Sequence, residues 1–254
     1  MKSMILPRLG VWTMSRRRIC SRIVRRSVQF LARAFREIGL TIVSKRFDYW
    51  LETAKSLWRD DLVNQLNALL ASKEADCFID LGAHVGEQSL LAAQFMPVFA
   101  FEPDPVAIEK LNRNIADCKT KFPIEVIQKA ATEFDGVANF YGSNRGRENT
   151  GTSSLNGTKR NLIGGDMYQV ETCDIGKFLR DIPYHSLIIK CDVEGAEYEI
   201  IDSLGDHLIF DRVTAMFTEF HDTKIPGQWR KSLALTIWKR RKFGVNKSHL
   251  VEWC

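Results

Sequence analysis

The chain has 254 residues, 45% of them hydrophobic, and a formal net charge of +5. This is enough for one large α/β domain with an arm, and it excludes global disorder and leaves little room for a second full domain. No apolar run reaches the ~18 residues of a membrane-spanning helix; the longest candidate, 90–101, is interrupted by Gln94 and Pro97. The charge is unevenly spread. Residues 1–46 hold 12 Lys/Arg against one acid, Glu37, whereas the remaining 208 residues hold 24 basic and 30 acidic side chains. The body is therefore mildly acidic and the arm strongly basic. The cysteines (20, 77, 118, 173, 191 and 254) are scattered, with no C-x-x-C pair. That pattern reads as reduced, buried thiols of a cytoplasmic protein, not as a disulfide framework or zinc site.

In the arm, Ile19, Ile23, Phe30, Leu31, Ala34, Phe35 and Ile38 recur near helical spacing, and eight arginines between Arg16 and Arg36 fill much of the rest. The direct reading is a basic amphipathic helix. It suits peripheral contact with an anionic membrane surface, an organelle presequence, or packing against the domain with its charges solvated. No aromatic–basic interleaving marks it for nucleic acid, so no nucleic-acid partner is expected. Residues 47–75 form a helical lead-in, with Trp50 and Trp58 read as packing residues, and 76–254 form the main domain.

Cys77–Leu81 is a short apolar run containing an acid, Asp80. Gly82 and Gly86 follow, and a helix from Glu87 to Phe95 opens after them. The pattern is a buried strand, a tight turn and a helix start. Glycine permits the sharp bend, and without a Cβ it lets a ligand approach the main chain. The dinucleotide fingerprint needs glycine where His84 stands, and no Gly-Lys-Ser/Thr follows, so neither that motif nor a P-loop is present. The second strand, Val98–Phe101, leads into Glu102, 22 positions after Asp80. That is close to the ~20-residue spacing at which a second-strand carboxylate meets a ribose and accepts hydrogen bonds from its hydroxyls. Asp104-Pro105 predicts a capped helix start, with Ile108, Leu111 and Ile115 on its apolar face.

A third strand spans Ile124–Ile127, and Val137–Tyr141 alternates as another. The stretch 143–165 is dominated by Gly, Asn, Ser and Thr and reads as a long functional loop. Met167–Glu171 is read as a short strand and Cys173–Ile182 as a helix. Leu187–Cys191 is a β-branched run ending in charge, followed by a helix around Ile200, Ile201 and Leu204. Val213–Phe220 is a strand ending in polar groups, with a helix over 228–243 and a last strand within 245–253. Alternating strands and helices require parallel crossovers, and ligands gather at the C-terminal ends of such strands. Asp80, Glu102, Asp192 and Glu219 all fall at those ends.

The Asp80-x-Gly82-x-x-x-Gly86 turn with Glu102 resembles a class I S-adenosylmethionine-dependent methyltransferase. Lys190-Cys191-Asp192-Val193-Glu194-Gly195-Ala196-Glu197 sharpens this, being similar to the K-x-D-x-E-G-x-E signature of the FkbM methyltransferase family. Ala130–Gly136 looks like that family's segment after the third strand, and Gly151–Leu155 like its Ser-rich loop. The resemblance runs from about Cys77 to Glu219 and does not cover the arm. It implies a Rossmann-like α/β fold with a mostly parallel sheet and helices on both faces. The implied cofactor is S-adenosyl-L-methionine, and the implied activity is O-methylation of a sugar, glycan or polyketide-like metabolite. In these terms Gly82, Ala83, His84 and Gly86 wrap the methionine portion, Asp80 orients the turn, and Glu102 and Pro103 face the ribose. Thr132 or Glu133 touches the adenine. Asp192 serves as general base beside the methyl group, and Lys190 pairs with Glu194, keeping Asp192 ionised or positioning the substrate. His221 is an alternative base or, with Asp192, part of a cation site for a vicinal diol; the spacing is no metal motif, and no metal is expected. A non-catalytic nucleoside-binding or membrane-surface scaffold of the same fold is the alternative. A nicotinamide enzyme is disfavoured by the missing G-x-G and the absence of any Tyr-x-x-x-Lys pair.

Overall fold

The computed structural model describes residues 66–142, 153–158, 162, 166–221, 225 and 250–253. The basic arm, most of the helical lead-in, the start of the 143–165 loop and the 228–243 helix lie outside the described residues. All described residues belong to the unit Ala54–Cys254.

The chain enters through a helical stretch at 66–72 and then alternates: β1 (Cys77–Leu81), α1 (Glu87–Ala92), β2 (Val98–Phe101), α2 (Pro105–Asp117) and β3 (Ile124–Ile127). It next builds β4 (Ala130–Thr132), β5 (Gly136–Tyr141), β6 (Met167–Asp174) and α3 (Ile175–Asp181). It returns as β7 (Leu187–Cys191), α4 (Glu197–Asp206), β8 (Val213–Glu219) and β9 (Leu250–Trp253). The main sheet runs β3-β2-β1-β7-β8-β9, and every neighbouring pair in it is parallel. Strands β1 and β7 sit at its centre with all ten residues buried, which is why both read as continuous apolar runs rather than as alternating ones.

Strand order reverses between β1 and β7: the chain winds outward one way through β2 and β3, then the other way through β8 and β9. In open parallel sheets the ligand crevice lies at this switch point, outside the strand C-termini. Side chains alternate across the sheet. One face of β1 carries Cys77, Ile79 and Leu81, packed with Ile175 and Leu179 of α3 and Ile200 and Leu204 of α4. The other carries Phe78, packed with Leu66, Leu70, Ala92, Leu111 and Phe217. Phe178 on α3 sits edge-on to both Phe99 and Phe101. Among the described residues no helix is long and apolar enough to cross a membrane.

Three local readings change. The helix expected over Glu87–Phe95 ends at Ala92, because Met96 precedes Pro97 and proline disfavours helical backbone before it. The helix expected from Cys173 begins at Ile175, because the strand before it runs on through Asp174, whose side chain caps the helix by accepting from Lys177 N at 3.2 Å. The strand is long because β4 pairs with its end, Ala130 opposite Thr172 through Thr132 opposite Asp174. Together β4, β6 and β5 make a separate three-stranded sheet, with β5 and β6 antiparallel. Helix α2 starts as read, with Asp104 accepting from Val106 N and Ala107 N and Pro105 in the first turn.

Candidate functional site

The turn after β1 and the turn after β7 are pressed backbone to backbone. Gly82 has φ +77°, and a Cβ there would lie 2.0 Å from the Asp192 carbonyl oxygen. Gly86, at φ +88°, would drive a Cβ to 2.3 Å from Leu111 Cδ1. Both glycines are therefore demanded by the protein's own packing as well as by left-handed backbone. Ligand access, the sequence-based rationale for them, is not what these two Cβ positions would obstruct. His84 is also left-handed, at φ 51°. Its backbone N–H donates to Glu102 Oε2 at 2.8 Å, while Asp104 N–H donates to Glu102 Oε1 at 2.9 Å. One carboxylate thus ties the first turn to the start of α2, and its remaining lone pairs are still able to accept from a ligand. Burial pushes the Glu102 carboxyl up to about 7, with the two backbone N–H groups pulling it back down.

Asp80 does not face the crevice. It lies opposite Lys190 in the β1–β7 register and is fully buried. Lys190 Nζ sits 3.3 Å from Asp80 Oδ1, donates to the Gly82 carbonyl at 2.5 Å and lies 3.9 Å from Asp192 Oδ2. Ser89 Oγ of α1 donates to Asp80 Oδ2 at 2.6 Å. Burial alone would lower the Lys190 ammonium, but Asp80 and Asp192 together hold it above its ordinary range. Lys190 is therefore not paired with Glu194, as adjacency suggested. Strand alternation turns Lys190 toward Asp80, and Glu194, beyond the strand end at φ 56°, turns to His221 instead.

The glycine turn, Glu102 and Asp192 line one cavity of about 290 Å³, near the low end of the ~300–1,000 Å³ common for ligand pockets. Gly82, Ala83, His84, Glu102, Pro103, Lys190, Asp192 and Glu194 border it. Asp80, Gly86, Thr132, Glu133 and His221 do not. The Thr132 hydroxyl turns inward to the carbonyls of Phe134 and Cys173, and Glu133 lies in a separate acidic depression with Asp174, Glu199 and Asp202. Ala130 and Ala131 of β4 form the wall at that point, with Phe140, Ser153 and Leu155 beside them. These five were not singled out as site residues. The Ser-rich stretch was the available signal for Ser153 and Leu155, and Ser154 Oγ, donating to the Glu194 carbonyl at 2.6 Å, holds that stretch over the second turn.

Asp192 is 31% exposed, toward the cavity. Desolvation raises its carboxyl to about 6, against the pull of Lys190 and with the push of Glu219. It is thus a carboxylate poised to ionise just below neutrality, in the range useful for a general base. His221 is the opposite case. Burial would lower it, but Glu194, Glu197 and Glu219 raise it to about 11. An imidazole so protonated has no lone pair with which to take a proton, which disfavours it as the alternative base. His84 is lowered by burial and by Lys190 and Lys110, so it faces the cavity as a neutral ring.

A parallel sheet with a glycine turn and a second-strand carboxylate meeting at its switch point is the Rossmann-like α/β architecture. The methyltransferase FkbM domain matches residues 80–244, and the chain belongs to that family. Among solved structures it is similar to a methyltransferase FkbM from Methylobacillus flagellatus KT, at 16% identity and a TM-score of 0.39, over 66% of this chain and 37% of that one. It is also similar to an rRNA methylase from Streptococcus thermophilus, at 10% identity and a TM-score of 0.34, over 69% and 79% of the two chains. The chain thus spans little more than a third of the FkbM structure. No curated protein matches it significantly.

Proposed function

We propose that the protein is an S-adenosyl-L-methionine-dependent methyltransferase that methylates a hydroxyl of a sugar, glycan or polyketide-like metabolite. The observation that carries this reading is the convergence of Glu102 and Asp192 on one cavity. They supply what the reaction needs at its two ends: an anionic hook for a ribose and a carboxylate for a proton. The fit rests on the donor set. Backbone of Gly82–His84 and the Glu102 carboxylate suit a nucleoside with an amino-acid tail, and the acids Asp192 and Glu194 suit the positive charge of a sulfonium. When bound, that cofactor supplies an electrophilic methyl: the acceptor oxygen bonds to the methyl carbon, the C–S bond breaks, and its electron pair stays on sulfur as a thioether. The chain's own part is to align the acceptor, which supplies much of the rate, and to take the hydroxyl proton on Asp192. The arginine excess of residues 1–46 supports peripheral contact with an anionic membrane surface as a separate property of the arm.

Calorimetric titration of S-adenosylmethionine into the full chain tests the cofactor assignment. A binding heat is expected for the native protein. Glu102→Ala, having lost charge-assisted bonds to the ribose, is expected to bind about tenfold or more weakly. No heat with the native protein, or an unchanged affinity in the variant, overturns it.

A further inference from the structure

His221 is 1% exposed and is held from behind. Its Nδ1 donates to Glu197 Oε1 at 2.6 Å, and Glu197 is itself fully buried. Nε2 therefore points the other way, to Glu194 Oε2 at 2.8 Å, Glu219 Oε1 at 3.5 Å and Asp192 Oδ1 at 3.7 Å. A buried carboxylate that fixes one imidazole nitrogen and aims the other is the usual support of a metal-ligating histidine. Asp192 Oδ1 is buried and accepts no hydrogen bond among the described residues. One ligand atom each from Asp192, Glu219 and His221 lies within 4.8 Å of the others. In a six-coordinate set with bonds of ~2.1 Å adjacent ligands lie ~3.0 Å apart, so Glu219 and Asp192, at 3.5 and 3.7 Å from Nε2, must each close by roughly half an ångström or a little more to complete the set. Four carboxylates surround the imidazole, and the neighbouring Lys190 is shared with Asp80. The cluster holds a surplus of negative charge next to the cavity.

We propose that Asp192, Glu219 and His221 bind a divalent first-row cation of the Mn²⁺ or Fe²⁺ class, whose open positions take two adjacent hydroxyls of the acceptor. The acceptor part rests on the methyltransferase reading; the cation site does not. Two carboxylates and one imidazole suit a six-coordinate first-row ion that accepts both oxygen and nitrogen donors, and three protein ligands leave about three positions for water or substrate oxygens. His221 lies at the back, Asp192 and Glu219 are 31% and 29% exposed, and of the three Asp192 is the one that borders the cavity. Asp192 offers Oδ1 to the ion and keeps Oδ2, on the Lys190 side, for the acceptor proton.

Titration of MnCl₂ into the full chain without S-adenosylmethionine, read by the loss of the free-ion electron paramagnetic resonance signal, tests this. The expected result is one saturable site, weakened about tenfold or more in Glu219→Gln and ~10–100-fold in Glu197→Gln, the residue behind the histidine. Spin-echo modulation from a directly bound imidazole nitrogen is expected in the native protein. No saturable binding, binding without the nitrogen signature, or equal affinity in folded Glu219→Gln overturns the proposal. Cofactor calorimetry on the same preparation reports separately on the reading it builds on.

Discussion

The two turns that meet at the switch point are built from different materials. The β1–β2 side is made of main chain: a left-handed turn, and one buried carboxylate satisfied by backbone N–H groups of His84 and Asp104. The β7–β8 side is made of charge: Lys190, Asp192, Glu194, Glu197, Glu219 and His221 within reach of one another. A backbone cradle is stiff and suits recognition of an invariant, neutral ribose. A crowd of ionisable groups is costly to bury, and it suits chemistry in which a proton or a cation changes hands. On the proposed function, the first side is the one that would grip the cofactor and the second the one that would carry the reaction.

The sharpest way to break that division is Asp192→Asn. Methyl transfer is expected to fall about 10²–10⁴-fold with affinity for the uncharged product S-adenosylhomocysteine unchanged, measured by radiolabel transfer and calorimetry on one preparation. Without an added divalent cation, kcat/KM of the native protein should climb with pH through about 6 as Asp192 ionises; a flat profile from pH 5 to 8 removes it from the base role.

Next in size is the link between the sides. Lys190→Met leaves Asp80 a fully buried carboxylate without its cation. Losing one partner of a buried pair costs roughly 3–5 kcal/mol, a Tm fall on the order of 10 °C. Replacing both, as Asp80→Asn with Lys190→Met, should recover part of that loss in a thermal melt. An unchanged Tm in the single variant would make the pair dispensable.

The smallest effect belongs to the cradle. The Glu102 carboxyl has a folded value of about 7 against an ordinary 4.5. The folded state thus holds the proton longer than the unfolded chain. This group's contribution is fully present below pH 4.5 and fades as pH rises through 7, by on the order of 3 kcal/mol at most. Denaturant midpoints between pH 5 and 8 should therefore slope more steeply in the ligand-free native protein than in Glu102→Gln. Parallel slopes would contradict it.

How far each side was legible in the sequence follows from the same contrast. Strands β1, β2 and β7 and the Asp104-Pro105 helix start were readable because their signals are local: apolar runs, a cap, a proline. Glu102 was readable from a spacing. Strand β5 and most of β6 were also readable, but β4 and the pairing that makes a second sheet were not, since β4 has three residues and its partner strand lies some forty positions on. The charge partners were misread for the same reason. Lys190 and Glu194 are near in sequence, but register sets Lys190 against Asp80, and Glu194 meets His221, which arrives after β8.

A crystal structure with S-adenosylhomocysteine bound tests the central claim most directly. The account predicts ribose hydroxyls within hydrogen-bond distance of Glu102 and the sulfur on the Asp192 side of the same cavity. A nucleoside seated elsewhere, or ribose turned away from Glu102, would contradict it.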